Sequence, residues 1–200
     1  MTRTIFLVLL FICGAQFCPA QNFAAFVDLG FNASQIDGDL FSGYNKLGIH
    51  GGLGVSYKLN EQWSIKSGIF YDALGSQKEL QVGNTAPEEQ QKIKLTYISV
   101  PITANYKITS IPLSLGAGLQ VGTLLNSKIQ DRADDAILEF FNKTDVTAIF
   151  TPRYQFSNRW SFCLKASEGV TLIFNNDKVS SLNSNSLRNR YLTFSFNRHL

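Results

Sequence analysis

Of the two histidines in this 200-residue chain, His50 alone is internal, and it stands between Gly48 and Gly52 in a run that alternates apolar and polar residues. Histidine exchanges a proton near neutral pH. With a serine or carboxylate beside it, His50 would equip a site for lipid hydrolysis or acyl transfer. The competing reading is a histidine hydrogen-bonded to a neighbouring strand, and it is the one adopted: no catalytic residue is expected. Cys163, flanked by Phe162 and Leu164, reads as a small strand residue rather than a nucleophile.

Two acidic clusters invite a calcium reading: Asp37-Gly38-Asp39, and Asp131, Asp134 and Asp135. The first lacks the spaced acidic series and closing glutamate of a calcium loop, and Asp-Gly commonly makes a turn. The second opens a stretch, Asp131 to Phe141, read as a short helix whose acidic residues suit its N-terminal dipole. Neither metal nor cofactor is expected. The net charge of +3 is small and scattered, which argues against nucleic acid as a partner.

The elements that position these residues follow a leader. Arg3, the apolar stretch Ile5 to Cys13 and the small-residue junction Cys18-Pro19-Ala20 before Gln21 read as a removable export signal, cut between Ala20 and Gln21. Its apolar run is shorter than the roughly 20 residues of a spanning helix, and no later segment is apolar enough to be one. The expected organisation is a signal peptide, residues 1–20, and one domain, residues 21–200. Cys163 is then the only cysteine left, so no intrachain disulfide can form.

Eight alternating runs follow: Phe23–Asn32, Lys46–Leu59, Gln62–Leu74, Lys92–Ile108, Leu113–Asn126, Asp145–Phe156, Arg159–Ile173 and Arg188–Asn197. Period-two alternation gives each strand one apolar face and one polar or small face. In the first, Val27, Leu29 and Phe31 oppose Asp28, Gly30 and Asn32. The connections go long, short, long, short. That is the pattern of an eight-stranded antiparallel up-and-down transmembrane β-barrel, with the short turns and both termini in the periplasm and four long loops outside.

A soluble, lipocalin-like binding barrel would show the same alternation turned inside out. Three features favour the membrane arrangement. The polar face carries Lys66, Asp72, Asn105, Lys107, Asp145, Arg153 and Lys165 among many glycines, which suits a packed polar lumen. Aromatic residues flank the short turns: Tyr57 and Trp63, Tyr106, then Phe156 and Trp160, as in a membrane-interface belt. Eleven residues at about 3.3 Å each, tilted near 45°, rise roughly 25 Å, the height of an outer-membrane apolar band. Pro101 and Pro152 each remove a ladder donor inside a strand, where a local bulge is expected to absorb them.

The stretch Leu95-Thr96-Tyr97-Ile98-Ser99-Val100-Pro101-Ile102-Thr103-Ala104-Asn105-Tyr106-Lys107 resembles the Y-[IL]-x-[IV]-P-[IL]…Y-[KR] segment of the PorT-like, "porin family" outer-membrane β-barrel proteins of Bacteroidetes. Phe31–Gln35, Gly48–Gly54 and Trp63–Tyr71 resemble the first three strands of that family in order. The resemblance covers essentially the whole mature chain. It implies an eight-stranded outer-membrane barrel in a Gram-negative bacterium and makes Pro101 a feature of strand four. Some relatives assist protein secretion or gliding, but no residue here marks that subgroup. Outer-membrane barrels often end on an aromatic residue that the insertion machinery reads. This chain ends Phe196-Asn197-Arg198-His199-Leu200, so Phe196 is the nearest equivalent.

Eight strands enclose an interior just wide enough for side chains. Lys66, Lys107, Arg153 and Lys165 against Asp28, Asp72 and Asp145 therefore read as a packed polar core, with inward glycines making room, and not as an open diffusion channel. The expected role is structural, accessory or interactive, through the long loops. A lipid-modifying enzyme is the alternative. The expected partners are outer-membrane lipid and lipopolysaccharide, the barrel-insertion machinery and an envelope protein bound by the loops. In the third loop Ile137, Leu138, Phe140 and Phe141 either dock on such a partner or fold over the barrel mouth, where Phe41 and Tyr44 would meet them.

Overall fold

The structure, a computed structural model, describes residues 22–38, 43–77, 92–130, 141–173 and 187–200. They form eight strands: β1 (Phe23–Asp37), β2 (Lys46–Lys58), β3 (Trp63–Gln77), β4 (Lys92–Lys107), β5 (Leu113–Gln130), β6 (Thr144–Gln155), β7 (Trp160–Gly169) and β8 (Arg188–His199). Each pairs antiparallel with the next, and β1 pairs with β8, so the sheet closes with no free edge. The leader with its Ala20–Gln21 junction, and Phe41, Asp39, Asp131, Asp134, Asp135, Ile137, Leu138 and Phe140, lie outside the described residues.

Several strands run further toward the long loops than hydrophobic alternation indicates. β1 continues to Asp37, β3 to Gln77 and β5 to Gln130. There the outward side chains turn polar, so the hydrophobic signal fades while the ladder continues: Ala33 still pairs with Leu192, and Ser76 with Ile93. β7 is shorter than expected. Past Gly169, the backbone N–H groups of Val170 and Thr171 both donate to the Val146 carbonyl, which ends the ladder in a bend.

The prolines are accommodated without bulges. Beside Pro101, the β3–β4 ladder passes from Ser67↔Ile102 to Phe70↔Ser99 with two pairs missing and the register unchanged. Beside Pro152, the β6–β7 ladder passes from Phe150↔Ala166 to Arg153↔Cys163 in the same way. A missing N–H interrupts the ladder but shifts nothing. The one register shift involving Pro101's strand lies elsewhere, between Thr96 and Tyr97, where Asn126 and Leu124 are the partners and Leu125 is the extra residue.

The apolar face points outward. Leu29, Leu53, Ile69 and Ile102 are each more than 60% exposed, whereas Asp72, Asn105 and Asn197 are 2% exposed or less. A continuous apolar belt of this kind is far beyond what a water-soluble monomer shows. The barrel is therefore inverted relative to a soluble lipocalin-like carrier.

Inside, the lumen is layered. At the long-loop end, Ile36, Leu74, Leu95, Tyr97, Leu124 and Tyr191 pack with Phe141, Ile173 and Leu187 into an apolar plug. The last three come from the bases of the third and fourth long connections. Backbone bonds lace those bases together: Asn142 N–H to the Ile173 carbonyl at 2.9 Å, and Ile173 N–H to the Leu187 carbonyl at 2.9 Å. Phe141 thus folds into the barrel mouth, while Tyr44 stays exposed. Below the plug the lumen is polar, and its short-turn end opens to solvent.

Candidate functional site in the barrel lumen

The polar layer is organised by one carboxylate. Asp72, fully buried on β3, accepts two hydrogen bonds at each oxygen. His50 Nδ1 lies 2.7 Å and Asn32 Nδ2 3.1 Å from Oδ1, while Ser99 Oγ lies 2.5 Å and Gln120 Nε2 3.4 Å from Oδ2. Four donors match the four lone-pair sites of a carboxylate, so Asp72 has no acceptor capacity left. The donors come from β1, β2, β4 and β5, which with β3 itself ties five of the eight strands to a single group.

The network extends around the remaining wall. Gln120 Nε2 also donates to the Tyr191 hydroxyl at 2.7 Å, and Lys165 Nζ donates to Gln120 Oε1 at 3.1 Å. Thr193 Oγ1 donates to Asn32 Oδ1 at 2.6 Å. Nearer the plug, Asp145 accepts from Asn189 Nδ2 at 2.7 Å and from Thr171 Oγ1 at 3.1 Å, and Asn189 also bonds the Tyr97 hydroxyl.

This geometry bears directly on His50. In a nucleophilic triad the imidazole stands between the hydroxyl and the carboxylate, so that it can take the hydroxyl proton. Here Asp72 stands between His50 and Ser99, and the serine proton is directed at the carboxylate. The His50 ring is also stacked on Phe70, with centroids 5.4 Å apart and an interplanar angle of 8°. Among the described residues no hydroxyl or thiol bonds to its other nitrogen. The arrangement orients the imidazole without supplying it a nucleophile.

Toward the short turns the charge balance changes. Lys66, Arg153 and Lys165 line a cavity of about 50 Å³ together with Asp28, His50 and Cys163. Lys66 Nζ sits over the Phe26 ring, 5.3 Å from its centroid. Arg153 reaches Asn105 Oδ1 at 3.5 Å and Cys163 Sγ at 3.8 Å, and its buried Nε has no partner. Glycines shape this space: a Cβ at Gly54 would run into the Phe26 ring, and one at Gly116 would collide with Asn105. Lys107 is placed differently from the other inward cations. It is exposed and lines the open mouth with Lys58, Glu61 and His199, a solvent cavity of about 310 Å³, and is not part of the packed core.

The aromatic residues flanking the short turns lie on the outward face, with Trp63 44%, Trp160 41% and Phe156 52% exposed and Tyr57 and Tyr106 half-buried. They pair across strands: Trp63 with Tyr106 at 5.1 Å, Phe156 with Phe196 at 6.4 Å, and Tyr57 with Phe23 at 4.7 Å. Arg198 covers the Trp160 ring at 5.5 Å.

Sequence reasoning placed Phe141 at the barrel mouth but missed the rest of the apolar plug, including the two tyrosines, Tyr97 and Tyr191, that belong to it. Leu74 and Leu95 do fall on the inward parity of their strands, which was the available signal.

No curated protein sequence matches the chain. Among solved structures, the attachment invasion locus protein Ail of Yersinia pestis is 11% identical, with 88% of this chain and 98% of that one covered and a TM-score of 0.48. Neisserial surface protein A is 12% identical, with 88% and 96% covered and a TM-score of 0.52, a likeness of fold alone. The family model for the outer membrane protein beta-barrel domain matches residues 19–175. That match spans well over half of the sequence and agrees with the closed eight-stranded barrel observed, so the chain belongs to the outer membrane protein beta-barrel domain family.

Proposed function

We propose that this outer-membrane barrel is a closed, non-conducting scaffold with a structural or accessory role, and that its long loops are the surface through which it acts. The observation that carries this reading is the apolar plug. Ile36, Leu95 and Ile173 are at most 1% exposed, and they fill the lumen at the end from which the long loops leave. An aqueous route would have to cross that layer and then the Asp72 network. Eight-stranded barrels have little interior space to spare in any case.

The finer assignments rest on the same frame. The Tyr97–Lys107 segment supports kinship with the PorT-like members of the family. The short turns and both termini face the periplasm, because such barrels keep their short turns on that side and the long connections leave from the other. Residues 1–20 are a signal peptide cleaved after Ala20, and the insertion machinery delivers the chain to a bilayer whose lipid and lipopolysaccharide it contacts through its apolar face. A non-enzymatic role is supported by His50, which is held by Asp72 with no nucleophile bonded to it among the described residues.

Three measurements test the proposal. The folded chain should migrate differently on a detergent gel unheated and boiled, as closed barrels do. Reconstituted in a planar bilayer, it should give no unitary current steps. Stable conductance steps from the wild-type chain would overturn the closed-scaffold reading, and hydrolysis of an envelope lipid lost in His50→Ala would overturn the non-enzymatic one.

A further inference from the structure

We infer that the lumen holds a small anion between Lys66 and Arg153, reached from the short-turn mouth. Both side chains are more than nine-tenths buried and line the same narrow cavity. Among the described residues neither makes an ion pair. Lys66 Nζ sits over the face of the Phe26 ring, and the buried Arg153 Nε bonds to nothing.

The charge count around the cavity sharpens this. Lys66, Arg153 and Lys165 supply three positive groups, and Asp28 supplies one carboxylate, of which Oδ2 is engaged by Asn197 at 3.3 Å while the buried Oδ1 has no hydrogen-bond partner. The other nearby carboxylate, Asp72, already has two donors on each oxygen and supplies a second negative charge, so the three cations keep one positive charge in excess. Uncompensated buried charge is costly, and ordered water offers acceptors but no countercharge. A monovalent anion supplies both. The room available, about 50 Å³, suits a halide or a single carboxylate head and little more.

Access is one-sided. The open mouth also contacts Lys66 and Arg153, and its rim carries Lys58 and Lys107 against Glu61, which favours entry of negative charge. At the opposite end the apolar plug closes the path. The lumen is thus a blind, basic cup.

The test uses crystals of the folded, detergent-solubilised chain grown in sodium bromide, with anomalous scattering to locate the halide. A bromide peak between Lys66 Nζ and the Arg153 guanidinium is expected. It should disappear in Lys66→Met and in Arg153→Gln, and persist in Arg153→Lys and in the rim variant Lys107→Met. Crystals with acetate added at equal concentration separate the two sources. Loss of the peak assigns the site to carboxylates as well, and its persistence assigns it to halide. A lumen with no anomalous peak, or a peak unaffected by both Lys66→Met and Arg153→Gln, would overturn the inference. If the Met and Gln variants fail to fold, the wild-type peak and its retention in Arg153→Lys still decide it.

Discussion

His50 and Asp72 are direct register partners on β2 and β3, and their side chains meet at 2.7 Å inside the barrel. The contact is one of four that converge on the same carboxylate, so it is better understood as a strut than as half of a catalytic pair. Replacing Asp72 with alanine leaves four buried donors facing empty space. Leaving a buried donor unsatisfied costs about 1–3 kcal/mol, and Asp72→Ala is expected to lose at least that much in urea unfolding from lipid vesicles. Asp72→Asn keeps one acceptor oxygen and should lose distinctly less. Equal stability of wild type and Asp72→Ala would mean that the network does not hold the wall together.

The outward placement of Leu53 makes the membrane assignment quantitative. Leu53 is 64% exposed and sits mid-strand, paired with Val27 and Ile69, whereas Leu59 is exposed beside a short turn. An arginine at the bilayer midplane costs about 2–4 kcal/mol, and one near the interface about 0–1. Leu53→Arg should therefore destabilise the vesicle-inserted barrel by the larger amount and Leu59→Arg by the smaller. Similar costs at the two positions would contradict the proposed depth.

Much of this architecture was legible because a barrel strand repeats one rule along its length. Leu47, Ile49, Leu53 and Val55 against Gly48, His50, Gly52 and Gly54 state the inside and outside of β2 residue by residue, and all of them obey it. The plug was not legible because it breaks the rule. Leu74 and Leu95 face inward yet are apolar, and their partners Phe141, Ile173 and Leu187 lie in or beside connections where alternation says nothing. The Asp72 cluster was beyond reach for a different reason. Its donors stand 40, 22, 27 and 48 residues away in sequence, and only barrel closure with a definite register brings them to one carboxylate. Lys107 shows the limit of parity: it faces the same way as Lys66, but parity does not tell depth.

Gly54 and Phe26 share one pocket of space in the lumen. A Cβ at position 54 would strike the Phe26 ring, whose face carries Lys66. Overpacking of this kind costs about 1–3 kcal/mol. Gly54→Val should lower stability by that order. Paired with Phe26→Ala, the double variant should cost less than the two single changes summed, because one relieves the clash the other creates. Strict additivity would mean that Phe26 can turn aside without penalty, and that the glycine is not there to seat it.

The chain has two tryptophans, Trp63 and Trp160, and both stand beside short turns on the outward face. Each rests against a polar or amphipathic neighbour: Tyr106 beside Trp63, and the Arg198 guanidinium over Trp160. Such rings prefer the headgroup level, where the apolar body meets lipid and the N–H meets water. With no tryptophan elsewhere to blur the signal, intrinsic fluorescence reports this rim alone. In vesicles of brominated lipid, quenching should be strong when the bromines sit near the glycerol and weak when they sit near the acyl-chain ends. Trp63→Phe and Trp160→Phe, measured singly, should give the same depth, because one ring of the barrel carries both. Strong quenching by the deep bromines would place this end inside the hydrocarbon and remove the argument that the short turns mark a membrane surface.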